Sequence, residues 1–195
     1  MTISKIFLLL AGVSLSLLAV APAHAQTRAQ TKGQKILIAY FSHTQTTEKV
    51  ALEIQKRTGG ELFRIETVQP YPKEHRDTLS VAEKERDTNA RPVLKGTVES
   101  MDTYDVIFLG YPIWWYTLPQ PLFTFLESYD FSGKTIIPFV THGGSRMSGT
   151  EEVIRKLQPN ANMGESLAIY RDVIRNNLDS GAVEPTAEWL TRLGY

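Results

Sequence analysis

The chain has 195 residues, of which 42% are hydrophobic and 22% are charged, and this composition excludes a disordered polar chain. It is long enough for one domain of ordinary size with its own core. Its 21 basic residues equal its 21 acidic residues, so the charge gives no reason to expect nucleic acid or an anionic membrane as a partner. Cysteine is absent, which excludes disulfides, thiol chemistry and a lipoprotein anchor.

The first 25 residues have the pattern of a secretory signal peptide. Lys5 supplies a short positive region, and residues 6–20 are mostly apolar. Ala23-His24-Ala25 then fits the small-x-small cleavage pattern. An uncleaved membrane anchor is the alternative, but the apolar stretch is short for a span, which needs about 20 residues. We therefore expect cleavage after about Ala25, a periplasmic or secreted protein, and no stable membrane insertion afterwards. Residues 26–34 are polar and predict a flexible leader before a domain at 35–195.

The predicted elements alternate between strands and helices. An apolar strand at 35–41 is followed by an amphipathic helix at about 46–58, which ends at two glycines. The alternating segment 61–66 predicts a second strand, and a highly charged helix follows at about 73–88. The remaining predictions are strands at 104–109, 134–140 and 166–170, and helices from Pro119 to about Tyr129, at 149–157 and at 185–193.

This order predicts the fold class and the place of a ligand. Strand and helix alternate five times, and the strands are mostly apolar runs, which is typical of an α/β protein with a parallel sheet between two layers of helices. Ligands in such sheets bind beyond the carboxyl ends of the strands. The loops after the first, third and fourth strands have unusual compositions. Because all three emerge at that edge, we expect them to form one site.

The first of these loops is a candidate phosphate site. Four of its six residues carry hydroxyls: Ser42, Thr44, Thr46 and Thr47. They lie between a buried strand and a helix start, where unpaired backbone N–H groups and the helix dipole favour an anion. The alternative is that these side chains merely cap the helix, for which one or two hydroxyls would be enough. The pattern favours phosphate, bound without Lys or Arg.

The other two loops suit a flat ring system. Trp114, Trp115 and Tyr116 are contiguous between two prolines, and aromatic faces stack well on conjugated rings. Core packing is the alternative, but with three contiguous aromatics we expect at least one to face away from the core. The segment 141–145, THGGS, has two glycines that allow a close approach to a ligand or a positive φ, although an ordinary turn would also fit.

Three segments together resemble the flavodoxin family, in particular its members with the G-Y-P-I-W-W signature. They are ILIAYFSHTQTTEKVA, YDVIFLGYPIWWYTLPQPLFTFLE and SGKTIIPFVTHGGS, and the resemblance extends over nearly all of residues 35–195. It implies a flavodoxin-like three-layer sandwich with a five-stranded parallel sheet of order 2-1-3-4-5. It also implies one noncovalently bound FMN as cofactor.

The resemblance implies a cofactor site residue by residue. Ser42, Thr44 and Thr47 match the phosphate-binding hydroxyls, while His43, Gln45 and Thr46 contribute loop backbone. The family often has Gly in place of Gln45, and a Cβ there restricts the loop geometry. The segments that would line the flavin ring are Pro112, Ile113, Trp114, Trp115 and Tyr116 on one edge, and Thr141, His142, Gly143 and Gly144 on the other.

The charges near this site favour two-electron chemistry. Segments 40–47, 110–118 and 141–149 contain no Asp or Glu, whereas one-electron flavodoxins usually surround the flavin with carboxylates. An anionic reduced flavin would meet less repulsion here. We therefore expect an electron-transfer protein or, more specifically, a two-electron reductase of a quinone-like acceptor. The physiological donor and acceptor are not identified by the sequence, and neither is a catalytic residue.

Two other functions are alternatives to a redox enzyme. A non-catalytic exported flavin-binding module would bind FMN without turnover. A hydrolase would need the G-x-S-x-G elbow, and neither Ser145 nor Ser148 lies in one. No metal site is expected, because the chain has four His, one of them in the predicted signal peptide, and no Cys.

Overall fold

The computed structural model describes residues 33–177 and 180–195. The predicted signal peptide, and all but the last two residues of the predicted leader, lie outside the described residues. Within the described ranges no helix has the length and apolar character needed to cross a membrane. Those same ranges contain no group of three or more His, Asp or Glu side chains placed to hold a metal ion.

Strands and helices alternate through most of the domain. The strands are β1 (Ile36–Tyr40), β2 (Glu61–Arg64), β3 (Val106–Pro112), β4 (Thr135–His142), β5 (Asn162–Met163) and β6 (Leu167–Tyr170). The helices are α1 (Thr46–Thr58), α2 (His75–Asp87), α3 (Gln120–Glu127), α4 (Thr150–Leu157), α5 (Arg171–Asn176) and α6 (Val183–Leu193). A short 3₁₀ helix, Met101–Thr103, precedes β3.

The sheet is parallel and has the predicted order, β2-β1-β3-β4-β5. The single fifth strand expected at 166–170 is wrong in detail, because β5 pairs with the start of β4 and β6 pairs with its end. Gly164 lies in the interruption, where a Cβ would come within 2.8 Å of the Ile137 side chain. The chain therefore passes Ile137 too closely for any residue except glycine.

The central strands are buried because helices cover both faces of the sheet. All five residues of β1 are buried, and alternate side chains belong to two separate cores. Ile36, Ile38 and Tyr40 pack with the face that α1, α5 and α6 cover, which also holds the fully buried Trp189. Leu37 and Ala39 pack on the opposite face with α3 and α4. This arrangement is the predicted three-layer sandwich.

Two strands extend further toward the site than the sequence indicated. β3 was expected to end at residue 109 and β4 at residue 140, but their pairing continues until Pro112 lies opposite Thr141. Thr141 and His142 therefore belong to β4 and not to the loop after it. Gly110 permits this close pairing, since a Cβ there would lie 2.1 Å from the ring of Phe139. The added residues at the ends of β3 and β4 extend the carboxyl edge of the sheet to the expected ligand position.

Candidate flavin site at the carboxyl edge of the sheet

The loop after β1 leads directly into α1. Ser42 is buried, and its Oγ accepts a hydrogen bond from the backbone N–H of Glu48 at 3.2 Å. Ser42 therefore satisfies one unpaired N–H group in the first turn of α1, although it lies three residues before the cap position. The bond uses an acceptor position of the oxygen, so the Ser42 O–H can still donate to a ligand. Thr44 and Thr46 place their hydroxyls 3.3 Å apart at the same end of the helix.

Gln45 adopts the conformation for which the family often has glycine. Its φ of 63° and ψ of −2° are left-handed, and it occupies the cap position before α1. A residue with a Cβ is disfavoured there by roughly 1–2 kcal/mol. The loop therefore keeps the shape that a glycine would give it, and it does so with stored backbone strain.

The loop after β3 turns back as a two-residue hairpin. The backbones of Trp114 and Thr117 exchange hydrogen bonds of 3.1 and 2.9 Å. Between them, Trp115 and Tyr116 have φ values of 48° and 61°. Positive φ at both central residues is the signature of a type I′ turn, which normally contains Asn-Gly. Two bulky aromatics in these positions are strained, and such strain clusters at ligand sites.

The three contiguous aromatic side chains lie in different environments. Trp114 packs edge-on against Tyr71, with ring centroids 5.1 Å apart, at the border of the core. The indole N–H of Trp115 donates to the backbone oxygen of Leu79 at 3.0 Å, which attaches this ring to α2. The Tyr116 side chain faces solvent with 76% of its surface exposed. The hairpin therefore offers a fixed tryptophan and an exposed tyrosine at its tip.

The end of β4 lies beside the first loop. The hydroxyls of Thr141 and Thr47 are buried and lie 2.8 Å apart, which joins the two segments. His142 accepts a hydrogen bond at Nδ1 from the backbone N–H of Gly144 at 3.0 Å. A neutral His142 therefore carries its proton on Nε2. Gly144 has a φ of 127°, a conformation that glycine alone adopts readily.

Two histidines at the cleft are held neutral by their surroundings. Burial lowers the pKa of His43, and the charge of His75 lowers it further. The Nε2 atom of His43 lies 3.2 Å from the hydroxyl of Thr78. Burial also lowers the pKa of His142, with Arg146 as the second cause. Both imidazoles are therefore uncharged at neutral pH.

These segments surround one cleft at the carboxyl edge of the sheet. Most of the predicted site residues line it, namely His43, Thr44, Thr46, Thr47, Pro112, Ile113, Trp114, Trp115, Thr141, His142 and Gly143. The other four, Ser42, Gln45, Tyr116 and Gly144, are neighbours in the same loops. The structure thus brings together loops that are about a hundred residues apart in the chain.

A family model described as Flavodoxin matches residues 35–183. The chain belongs to the flavodoxin family. A provisionally assigned flavoprotein from Bacteroides eggerthii DSM 20697 is 38% identical, with a TM-score of 0.62 over 77% of this chain and 99% of that chain. Another from Bacteroides uniformis ATCC 8492 is 32% identical, with a TM-score of 0.68 over 82% of this chain and 99% of that chain.

One further solved structure bears on the fold of this flavodoxin-family chain. A flavoprotein from Lactobacillus acidophilus NCFM, crystallised in complex with FMN, is 20% identical. Its TM-score is 0.60 over 73% of this chain and 97% of that chain, a likeness that shows the shared fold. A comparison with curated proteins found no match.

This flavodoxin-family cleft has two walls that the sequence did not indicate. α2 contributes His75, Thr78 and Leu79, and α5 contributes Arg171 and Arg175. A signal for the arginines did exist, because the chain after the last strand also emerges at the carboxyl edge. The six-residue α5 is too short to show a helical period, and it was not predicted.

The lining of the cleft carries positive charge. Among the residues that the structure describes, no Asp or Glu lines it, whereas Arg171 and Arg175 do. Glu48 lies close to the first loop in sequence, but Arg64 contacts its carboxylate at 2.6 Å and Tyr40 donates to it at 3.1 Å. An anion in the cleft would therefore meet donors and cations, with no carboxylate among the described residues that line it.

Proposed function

We propose that this protein binds FMN and reduces a quinone-like acceptor by two electrons, as a member of the G-Y-P-I-W-W group of the family. One observation carries the proposal: a hydroxyl-rich helix start faces an aromatic hairpin across a cleft that no carboxylate lines in the described chain. Family membership and the FMN complex of the Lactobacillus flavoprotein support FMN as the cofactor.

The chemistry of the first loop fits the phosphate of FMN. Thr44, Thr46 and Thr47 line the cleft where α1 begins, and the first backbone N–H groups of a helix have no partner within it. Hydroxyl and amide donors at a helix start stabilise phosphate oxygens. The bond between Thr47 and Thr141 fixes this end of the cleft to β4. We assign the phosphate to this end.

The hairpin and the end of β4 fit the ring. Trp115 is held by Leu79 from one side, and the Arg86 guanidinium lies 5.1 Å from the centroid of its indole. On the opposite edge, His142 presents Nε2–H as a donor when it is neutral. These groups would hold the ring between the aromatic hairpin and the end of β4.

Bound FMN supplies a ring that accepts and passes on electrons singly or in pairs. In this cleft, no carboxylate among the described lining residues would oppose the negative charge that forms on the ring on reduction. The hairpin has no glycine after Gly110, and its Trp115 and Tyr116 already have positive φ. A backbone rearrangement that favours one-electron reduction would be difficult in such a loop.

We also propose that the protein acts outside the cytoplasm. The signal-peptide pattern at 1–25 supports export. Because NAD(P)H is scarce outside the cytoplasm, we expect the electron donor to be a membrane-bound or periplasmic redox partner. A protein in this location would also be close to the membrane, where quinone-like acceptors dissolve.

The first test is FMN retention. The purified protein is mixed with FMN and desalted, and its visible absorbance is recorded. We expect the wild type and Thr88→Glu to stay yellow, because Thr88 is exposed and is not among the residues that line the cleft. We expect Thr44→Glu to lose the flavin, because a carboxylate there repels phosphate. A wild type that retains no FMN would overturn the proposed cofactor.

The second test is the course of reduction. An anaerobic redox titration of the flavin-loaded protein should proceed in one two-electron step, and quinone-like acceptors should reoxidise it. Two well-separated one-electron steps would instead indicate a single-electron shuttle. Tight FMN binding without reduction by any donor would favour the non-catalytic flavin-binding module.

A further inference from the structure

Two arginines of α5 reach the cleft from the side opposite α2. Arg171 is the first residue of α5, and Arg175 follows one helical turn later, so both lie on one face. The Arg171 guanidinium carbon lies 3.2 Å from the point that a Cβ on Gly143 would occupy. This guanidinium therefore lies against the backbone of Gly143, and only a residue without a side chain leaves room for it.

Both arginines form ion pairs within the described chain, but one of their donors has no hydrogen-bond partner there. The Arg171 Nε is buried and has no hydrogen-bond partner among the described residues. Asp172 is the acid near both, at 3.8 Å from Arg171 Nε and 3.9 Å from Arg175 Nη1, which is too far for a hydrogen bond. The Arg171 side chain as a whole is 43% exposed, but an N–H donor buried without a partner is costly, and it suggests an anion that completes the site.

The position of Gly143 connects these donors to the phosphate end of the cleft. Gly143 is two residues beyond Thr141, whose hydroxyl lies 2.8 Å from that of Thr47 at the start of α1. α5 also packs directly against α1. Arg171 and Thr47 therefore approach the same region from two adjacent helices, one with a charge and one with a neutral hydroxyl.

We propose that Arg171, with Arg175 as a second charge, binds the phosphate of FMN. This inference rests on the proposed function, and it adds the two cations of α5 to the hydroxyl and amide donors of the first loop. A flavin phosphate carries about 1.5 to 2 negative charges at neutral pH, and bonds between ionised partners are roughly twice as strong as neutral ones. The protein should therefore prefer FMN to riboflavin, and its affinity for FMN should fall as salt rises.

The experiment compares flavins with and without the phosphate. Dissociation constants for FMN and riboflavin are measured by quenching of flavin fluorescence, at low and at high salt, for the wild type, Arg171→Gln and Arg171→Gln/Arg175→Gln. Arg155→Gln is the matched control, because Arg155 is an exposed arginine that pairs with Glu152 at 3.9 Å on α4. Thermal unfolding of each variant establishes that it is folded.

We expect Arg171→Gln to bind FMN about tenfold more weakly and the double variant more weakly still, with riboflavin binding unchanged in both. The salt dependence of FMN binding should decrease in the same order, and the control should match the wild type. Equal losses for FMN and riboflavin would overturn the proposal, because they would place the arginines at the ring. No loss for either flavin would overturn it as well. A wild type that binds neither flavin would instead refute the proposed function on which it rests.

Discussion

The side chains of the hairpin tip are held in conformations that their residue types disfavour. Trp115 and Tyr116 have positive φ, and the Tyr116 side chain gains little from burial because it is 76% exposed. Nothing in the described contacts of Tyr116 offsets the strain within the protein itself. Because strain of this kind clusters at functional sites, we expect Tyr116 to contact the bound ligand.

Replacing this tyrosine by glycine should separate stability from binding. We expect Tyr116→Gly to raise the free energy of unfolding by about 1 kcal/mol, since glycine adopts the left-handed region freely. We also expect it to weaken FMN binding several-fold, because the aromatic face is lost. Urea denaturation and flavin fluorescence measure the two effects. Ser100→Gly is the control: Ser100 has a φ of 53° away from the cleft, so stability should rise without loss of binding.

The two neutral histidines should make the unfolding free energy depend on pH. Burial lowers the pKa of His43 and His142 below the ordinary value of 6.5, so the unfolded chain binds protons that the folded chain does not. The stability that these residues contribute is present above about pH 6.5 and decreases as the pH falls below it.

Urea unfolding of the FMN-free protein between about pH 5.5 and pH 8 tests this dependence. The wild type should lose stability toward the acid end of the range. The double variant His43→Gln/His142→Gln should have a flatter profile, because glutamine does not titrate. The same slope in both proteins would show that other groups control the pH dependence.

At the scale of elements, the contact between β3 and β4 controls the site. Gly110 lies in β3 directly beneath the aromatic hairpin, and the ring of Phe139 in β4 occupies the space that a side chain on Gly110 would need. The close pairing continues to Pro112 and Thr141, which both line the cleft. The position of the hairpin therefore depends on a packing contact at Gly110, four residues before Trp114.

We expect Gly110→Ala to destabilise the protein by about 3 kcal/mol or more, because the new methyl group would overlap a ring inside a packed core. Phe139→Leu in the Gly110→Ala background should recover part of this loss. The double variant should therefore lose less unfolding free energy than the two single variants lose together. Gly96→Ala is the control, since the nearest atom to its Cβ would be 3.9 Å away in Phe63. Chemical denaturation measures the wild type, the two single variants, the double variant and the control. Strict additivity would show that the two residues do not share the contact.

The elements that the sequence predicted well are those whose signal is local. β1, β3 and β4 are apolar runs next to turn residues, and this pattern alone was enough to find them and the order of the layers. The interruption between β5 and β6 was missed, because it depends on the Ile137 side chain, which lies in another strand. The ends of β3 and β4 were missed for a similar reason: the pairing between them extends both.

The same distinction applies to the cleft. The hydroxyl loop and the aromatic hairpin were evident as local clusters, whereas the contribution of α2 depends on how that helix packs against the hairpin through Leu79 and Trp115. Arg171 and Arg175 looked like ordinary charged residues in a short segment. Their role becomes apparent only when the sheet places α5 beside α1. Sequence patterns thus predicted the loops of the cleft, whereas the contributions of α2 and α5 follow from how these helices pack.

On the scale of the whole molecule, the fold already includes the residue that precedes β1. Lys35 already belongs to the fold, because its backbone N–H donates to the Asp105 carboxylate at 2.8 Å and its carbonyl accepts from the Asp105 N–H at 2.9 Å. These bonds attach the entry of β1 to the residue before β3. The signal-peptide pattern ends at Ala25, before this attachment, so cleavage there would leave the domain intact.

Export can be tested with the full chain expressed in a bacterium with a periplasm. We expect mass spectrometry of the periplasmic fraction to find a protein that begins at Gln26, since the cleavage site requires small residues at Ala23 and Ala25. Ala23→Gln/Ala25→Gln should block cleavage and leave the chain in the membrane fraction, while the conservative Ala23→Gly should be processed normally. If the wild type itself remained uncleaved in the membrane, the N-terminal segment would be an anchor. The flavin domain would then work at the membrane surface, close to quinone-like acceptors and to membrane-bound donors.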